Sequence, residues 1–129
     1  MQHKIIASII VILSYFCLNA SAQQYSLYEA KKMKEGRALL SKKPHLWFGK
    51  ASPKGPMIKA DSSDSTQPAK KACQYAAIKT LAELQKTAYK NNAVIVKNIH
   101  SPGAKPGFYY CAVKNGTAYV ELRGTLANK

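Results

Sequence analysis

The chain has 129 residues, with 20 Lys and Arg against 6 Asp and Glu and a formal net charge of +14. That length holds one domain of ordinary size, which excludes a large multidomain machine. The basic surplus favours solubility and attraction to anionic partners, and it carries no information about the fold.

The first residues are Met-Gln-His-Lys, the run Ile5 to Leu18 is almost wholly apolar, and Asn-Ala-Ser-Ala-Gln follows at 19 to 23. A positive start, a short apolar core and a small-x-small site form the three-part pattern of a secretory signal. Residues 1–22 are therefore expected to be a signal peptide cleaved before Gln23, and the protein is expected in the periplasm or secreted. The apolar run is shorter than the roughly 20 residues of a bilayer span, so no membrane span is expected after cleavage. Cys17 follows Phe16, where a lipid-attachment site needs a small residue, and it should leave with the signal.

Residues 23–44 form an N-terminal segment. Ser26-Leu-Tyr-Glu29 has the spelling of a capping box, and Ala30, Met33, Ala38, Leu39 and Leu40 continue into a short helix. From 45 to 129 the pattern is that of one α+β domain. His45-Leu-Trp-Phe-Gly49 reads as a brief strand ending at glycine. Residues 50–68 are rich in Pro, Gly, Ser, Asp and Lys and read as a flexible loop.

The main helix should run from near Pro68 to about Lys90. Cys73, Ala77, Leu81, Leu84 and Ala88 lie along one stripe, with Lys79, Glu83, Lys86 and Lys90 opposite. Asn91-Asn92 supplies a residue tolerant of the left-handed conformation that ends many helices. Ala93 to Ile99, rich in β-branched residues, reads as a strand buried on both faces. Residues 101–107 are turn chemistry. Phe108–Lys114 and Thr117–Arg123 then flank Asn115-Gly116, the preferred two-residue hairpin turn. That turn pairs 113 with 118, 111 with 120 and 109 with 122. Tyr109, Cys111, Val113, Ala118, Val120 and Leu122 would then share an apolar face.

Two cysteines remain after cleavage, Cys73 and Cys111, in a compartment that favours disulfides. The register points Cys111 into the core, toward the helix stripe that carries Cys73, so a bridge would staple helix to hairpin. Metal ligation with His45 and His100 is the rival, but no metal-binding spacing supports it, and neither metal nor cofactor is expected.

The pattern Cys73-x-x-Ala76, Leu81, Ala88, Asn98-Ile99-x-Ser101, Tyr109-Tyr110-Cys111 and Leu122-x-Gly124, with Phe48-Gly49 upstream, resembles a family of small exported proteobacterial proteins. Its members are often labelled excinuclease ATPase subunit-like. The resemblance implies a strand, a helix packed on a small sheet, and a bridge between them. It does not extend to an ATPase, since the chain has neither a G-x-x-x-x-G-K-[ST] phosphate loop nor a zinc-finger cysteine pair. Asn92 stands where that family usually has glycine.

No acid, base or nucleophile stands in a motif with an orienting partner, so an enzyme is not expected. Asp61 and Asp64 fall in the expected loop and read as solvated turn residues. The function expected is that of a non-catalytic exported interaction protein of the bacterial cell envelope, acting as an accessory subunit of a larger envelope assembly with an envelope protein partner, or as a homo-oligomer. Its contact surface would be a second apolar shoulder of the main helix: Tyr75, Ile78, Ala82 and Tyr89. The alternative is a basic module for an anionic polymer, such as nucleic acid or lipopolysaccharide. Phe108, Tyr110, Lys114, Tyr119 and Arg123 on the outward hairpin face would hold it.

Overall fold

A computed structural model describes residues 23–52 and 54–128 of the chain. The expected signal peptide, residues 1–22, lies outside the described residues. In chain order the elements are β1 (Gln24–Ser26), α1 (Leu27–Lys32), α2 (Lys34–Leu39), β2 (His45–Phe48), β3 (Met57–Asp64), α3 (Ala69–Lys90), β4 (Ile95–His100), β5 (Phe108–Tyr110), β6 (Ala112–Lys114) and β7 (Thr117–Ala127). The fold is α+β, with one main helix on a mainly antiparallel sheet.

α3 follows its sequence pattern closely. Cys73, Ala77, Leu81, Leu84 and Ala88 are buried against the sheet, while Lys79, Glu83, Lys86 and Lys90 are exposed. The helix ends where Asn92 takes φ +57° and the Ala93 amide donates back to the Ala88 carbonyl at 2.9 Å. A left-handed residue just past the last turn satisfies carbonyls that would otherwise lack a donor.

The main sheet has the strand order β2-β4-β7-β3, with β6 also pairing β7. β2 and β4 are parallel, and the other pairs are antiparallel. Ala118, Val120 and Leu122 on β7, with Val96 and Ile99 on β4, point into the core beneath α3. Cys73 and Cys111 are bridged, with their Cα atoms 5.7 Å apart, and the bridge joins the helix to the sheet layer.

Four expectations are corrected. Residues 50–68 are not all loop, because Met57–Asp64 form β3, paired with β7 from Met57 opposite Thr125 to Asp64 opposite Ala118. The inward positions of β3 are Ile58, Ala60, Ser62 and Asp64, half-buried and mostly small or polar. A strand with so little apolar contrast is held by its ladder and by α3, so its own residues barely announce it.

The hairpin is shorter than expected. The Asn115-Gly116 turn, at φ +52° and +79°, sets the 113-to-118 register as read, but pairing with β7 stops at Ala112. β5 turns away and pairs with β1, and the Cys111 amide donates to the Gln23 carbonyl at 3.2 Å. Tyr109 and Cys111 are still core residues, whereas Val113 is 46% exposed at the hairpin tip, beyond the helix.

The N-terminal segment is a strand and two short helices, not one helix. Ser26 caps α1, its Oγ accepting from the Glu29 amide at 3.3 Å. Met33 breaks the path with ψ 154°, and α2 packs so close to α1 that a Cβ on Gly36 would lie 2.6 Å from the Lys31 carbonyl oxygen. β4 also differs slightly: Ile95, Val96 and Ile99 are buried, but Val94 precedes the strand and is exposed, and Lys97 and Asn98 are only half-buried.

Candidate functional site

The helix shoulder is not an open surface. Ile78 is 1% exposed and Ala82 is buried, because α1 and α2 lie across α3. Tyr75 is half-buried, and its hydroxyl donates to Glu35 Oε1 of α2 at 3.1 Å. Gln85 fastens the far end of this cover: its amide nitrogen donates to the Ser41 and Pro44 carbonyls at 2.8 and 2.9 Å, and its oxygen accepts from the Ser41 amide at 3.0 Å. Only Tyr89 of the four expected residues stays in solvent, at 78% exposure. The shoulder is the seat of the N-terminal segment, and a charge at Ile78 would be a folding defect.

The opposite face of the sheet carries Trp47, Met57 and Tyr119, while Tyr28, Leu39 and Tyr89 are exposed on the helices. Strand register arranges it in rows. Lys97, Thr125 and Met57 line up across β4, β7 and β3, with Trp47 on β2 beside them and the Lys97 ammonium 5.4 Å from its ring centre. The next row is His100, Arg123 and Lys59, then Glu121 with Asp61, then Ala112, Tyr119 and Ser63. Trp47, Met57 and Tyr119 are each about half exposed, at 52%, 53% and 49%. One end of the face is thus basic and aromatic, and the other is acidic and tyrosine-lined.

At that second end a groove of about 860 Å³ opens over the sheet. Tyr110, Tyr119, Asp61, Glu121, Ser63 and Ser101 are among its lining residues, and no lysine or arginine lines it. The Tyr110 hydroxyl accepts from Gln24 Nε2 at 3.1 Å and donates to the Gly103 carbonyl at 3.3 Å. Ser101 Oγ accepts from the Tyr110 amide at 3.0 Å, which fixes that wall to the 101–107 turn. Glu121 pairs with Arg123 at 3.0 Å.

Of the five residues expected to hold an anionic polymer, the structure brings only Tyr110 and Tyr119 together. Phe108 lies on β5 under Lys105, whose ammonium is 4.7 Å from its ring centre. Lys114 is at the hairpin tip, and Arg123 is committed to Glu121. The two tyrosines share their groove with two carboxylates, which repel anions. Trp47, Met57 and Glu121 were missed as site residues, and Asp61 was read only as a solvated turn residue, because their placement depends on β3 and on the β2–β4 pairing, neither of which a local pattern reveals.

Two titrating groups border this architecture. Burial opposes ionisation of Asp64, but the Lys79 ammonium and the Thr66 side chain and amide outweigh it and hold its carboxyl below the ordinary 3.8. Burial, with smaller effects from Tyr25 and Glu29, raises the Tyr109 phenol well above its ordinary 10.0. The Tyr109 hydroxyl has no hydrogen-bonding partner among the described residues. His45 is exposed at the start of β2, and His100 Nδ1 lies 2.7 Å from the Asn98 carbonyl, which can only accept. Among the described residues no group of three or more His, Cys, Asp or Glu could hold a metal ion. No helix of the described residues is long and apolar enough to cross a membrane.

Comparison with protein-family models, with curated proteins and with solved structures finds no match to this chain.

Proposed function

We propose that this chain is an exported, non-catalytic interaction protein of the bacterial cell envelope that works through the open face of its sheet. The observation that carries the reading is the contrast in cover. The apolar shoulder of α3 is closed by the N-terminal segment, while Trp47, Met57 and Tyr119 stay about half exposed on a sheet face without a helix. Aromatic side chains and methionine left exposed on a strand face amid charge are enriched at contact surfaces. The signal-like start and the Cys73–Cys111 bridge support an oxidising compartment.

Photo-crosslinking amino acids placed at Trp47, Tyr119 and, as a control, Lys86 on the exposed side of α3 test this in intact cells. Adducts from 47 and 119 but not from 86 are expected. Equal adducts from all three positions, or none from the sheet positions, would overturn the reading.

A second reading, binding of an anionic polymer, draws on the basic end of the same face, where Lys97 overlies Trp47 and Lys59 lies opposite Arg123. It predicts association that weakens steeply with salt, with a slope flattened by replacing Lys59 and Lys97. A protein contact centred on the aromatics would be far less sensitive to salt.

A further inference from the structure

A long, regular edge strand is a template for pairing with another chain, and folded proteins usually blunt such edges with prolines, bulges or very short strands. β3 uses none of these: its 8 residues contain no proline and keep unbroken register with β7. It is an end strand of the sheet order, and among the described residues no strand lies on its outer side. Lys79 guards one end of it, its ammonium reaching the Ser63 carbonyl at 3.1 Å, and the strand itself carries the exposed charges Lys59 and Asp61.

The charge pattern at this edge is unresolved within one chain. Lys59 lies opposite Arg123, and in the next row Asp61 lies opposite Glu121. Like charges directly opposite on neighbouring strands repel. Arg123 and Glu121 satisfy each other along β7 at 3.0 Å, which leaves Lys59 and Asp61 exposed at the margin. Neither forms an ion pair among the described residues.

A second copy can resolve both rows. In an isologous antiparallel pair the twofold axis passes through a residue that faces its own copy, since alternate residues point to opposite faces. Four registers lie nearest the middle of β3, and an axis at Ser62 sets Asp61 against Ser63 and leaves Lys59 with no charge opposite. An axis at Lys59 sets lysine against lysine, and an axis at Asp61 sets carboxylate against carboxylate. An axis at Ala60 sets Lys59 of each copy opposite Asp61 of the other. The row then runs Arg123, Lys59, and Asp61 and Glu121 of the second copy, with opposite charges meeting at the seam.

The geometry points to a homodimer formed by antiparallel pairing of β3 with β3 of a second copy, centred on Ala60. The pairing extends the sheet from one copy into the next, leaving both α3 helices on one side and both open faces on the other. It rests on the register of β3 and is independent of what the open face contacts.

The test is sedimentation equilibrium on protein purified after export, at about 0.15 M salt, where a Debye length of about 8 Å screens the repulsion between two basic chains but not charges in contact. Wild type should dimerise. Lys59→Glu and Asp61→Lys should each weaken the dimer by about tenfold or more, since each turns two attractive cross-strand pairs repulsive. The double variant Lys59→Glu, Asp61→Lys should return to near wild-type affinity, which also shows that the single variants did not fail by misfolding. A wild type still monomeric at about 1 mM overturns the proposal. So does a dimer indifferent to the single changes, or one that the double variant fails to restore. Crosslinks from 47 and 119 would be unaffected by any of these failures.

Discussion

The two faces of the sheet are made of the same strands and behave in opposite ways. Beneath α3, alternate residues of β7 are Ala118, Val120 and Leu122, all nearly or fully buried; on the other side, the intervening residues are Tyr119, Glu121 and Arg123, all in contact with solvent. The covered face is locked by apolar packing and by the Cys73–Cys111 bridge. The open face is held only by register, and its rows of like charge are tolerated because water screens them. Stability therefore belongs to one face, which leaves the other free to vary with its partner.

The sharpest way to break this comparison is at adjacent residues. Val120→Asp should unfold the domain, because an unpaired carboxylate beneath α3 costs several kcal/mol, on the order of the whole stability of a small domain. Glu121→Ala should change stability by about 0.5 kcal/mol or less. Thermal melts of the two variants decide it, and equal melting temperatures would mean that the faces have been assigned the wrong way round.

Next in size is the bridge. Cys73 and Cys111 are 38 residues apart in sequence, and closing a loop of that length stabilises by about 4 kcal/mol on the chain-entropy model. Urea unfolding of a double Cys→Ala variant should show a loss of that order, with the fold retained in the absence of denaturant. A loss under about 1 kcal/mol would mean that packing alone holds the covered face.

These two experiments probe the parts of the fold that were legible in the sequence. The α3 stripe, its stop at Asn92, the Asn115-Gly116 turn and the inward direction of Cys111 all follow from local periodicity and turn chemistry. What was not legible depends on distant partners. β3 has only Ile58 and Ala60 as inward apolar residues and looks like loop until β7 lies beside it. Pairing of β5 with β1 instead of β7 is a competition between two remote strands that no window of residues expresses. The α3 shoulder was read as a contact surface for a partner, and only the fold shows that residues 27–44 lie across it.

A smaller effect tests whether the covered face contains a flaw. The buried Tyr109 hydroxyl lacks a partner among the described residues, so Tyr109→Phe should be neutral or stabilise by about 1 kcal/mol. In the wild type the phenol titrates higher in the folded than in the unfolded state, so its contribution is fully present below pH 10.0 and is lost as pH rises above that value. The variant should lack this alkaline loss. Matching stability curves for both proteins above pH 10.0 would refute the assignment.

The smallest effect lies where the two faces meet. Asp64 points inward from the end of β3 and binds Lys79 of α3 at 2.8 Å, the carboxylate 8% and the lysine 48% exposed. Because its folded pKa is depressed below 3.8, its stabilisation is present above that value and disappears as pH falls through the folded pKa. With Lys79 half in water the pair is worth only about 0.5 kcal/mol. Asp64→Asn should therefore lower stability slightly at neutral pH and converge with wild type below pH 3.8. The same variant frees the Lys79 side chain that guards the β3 edge. If that edge is a pairing surface, the variant should alter self-association as well as acid stability, whereas Glu83→Gln, which removes the exposed partner of Lys86 on the same helix, should alter neither.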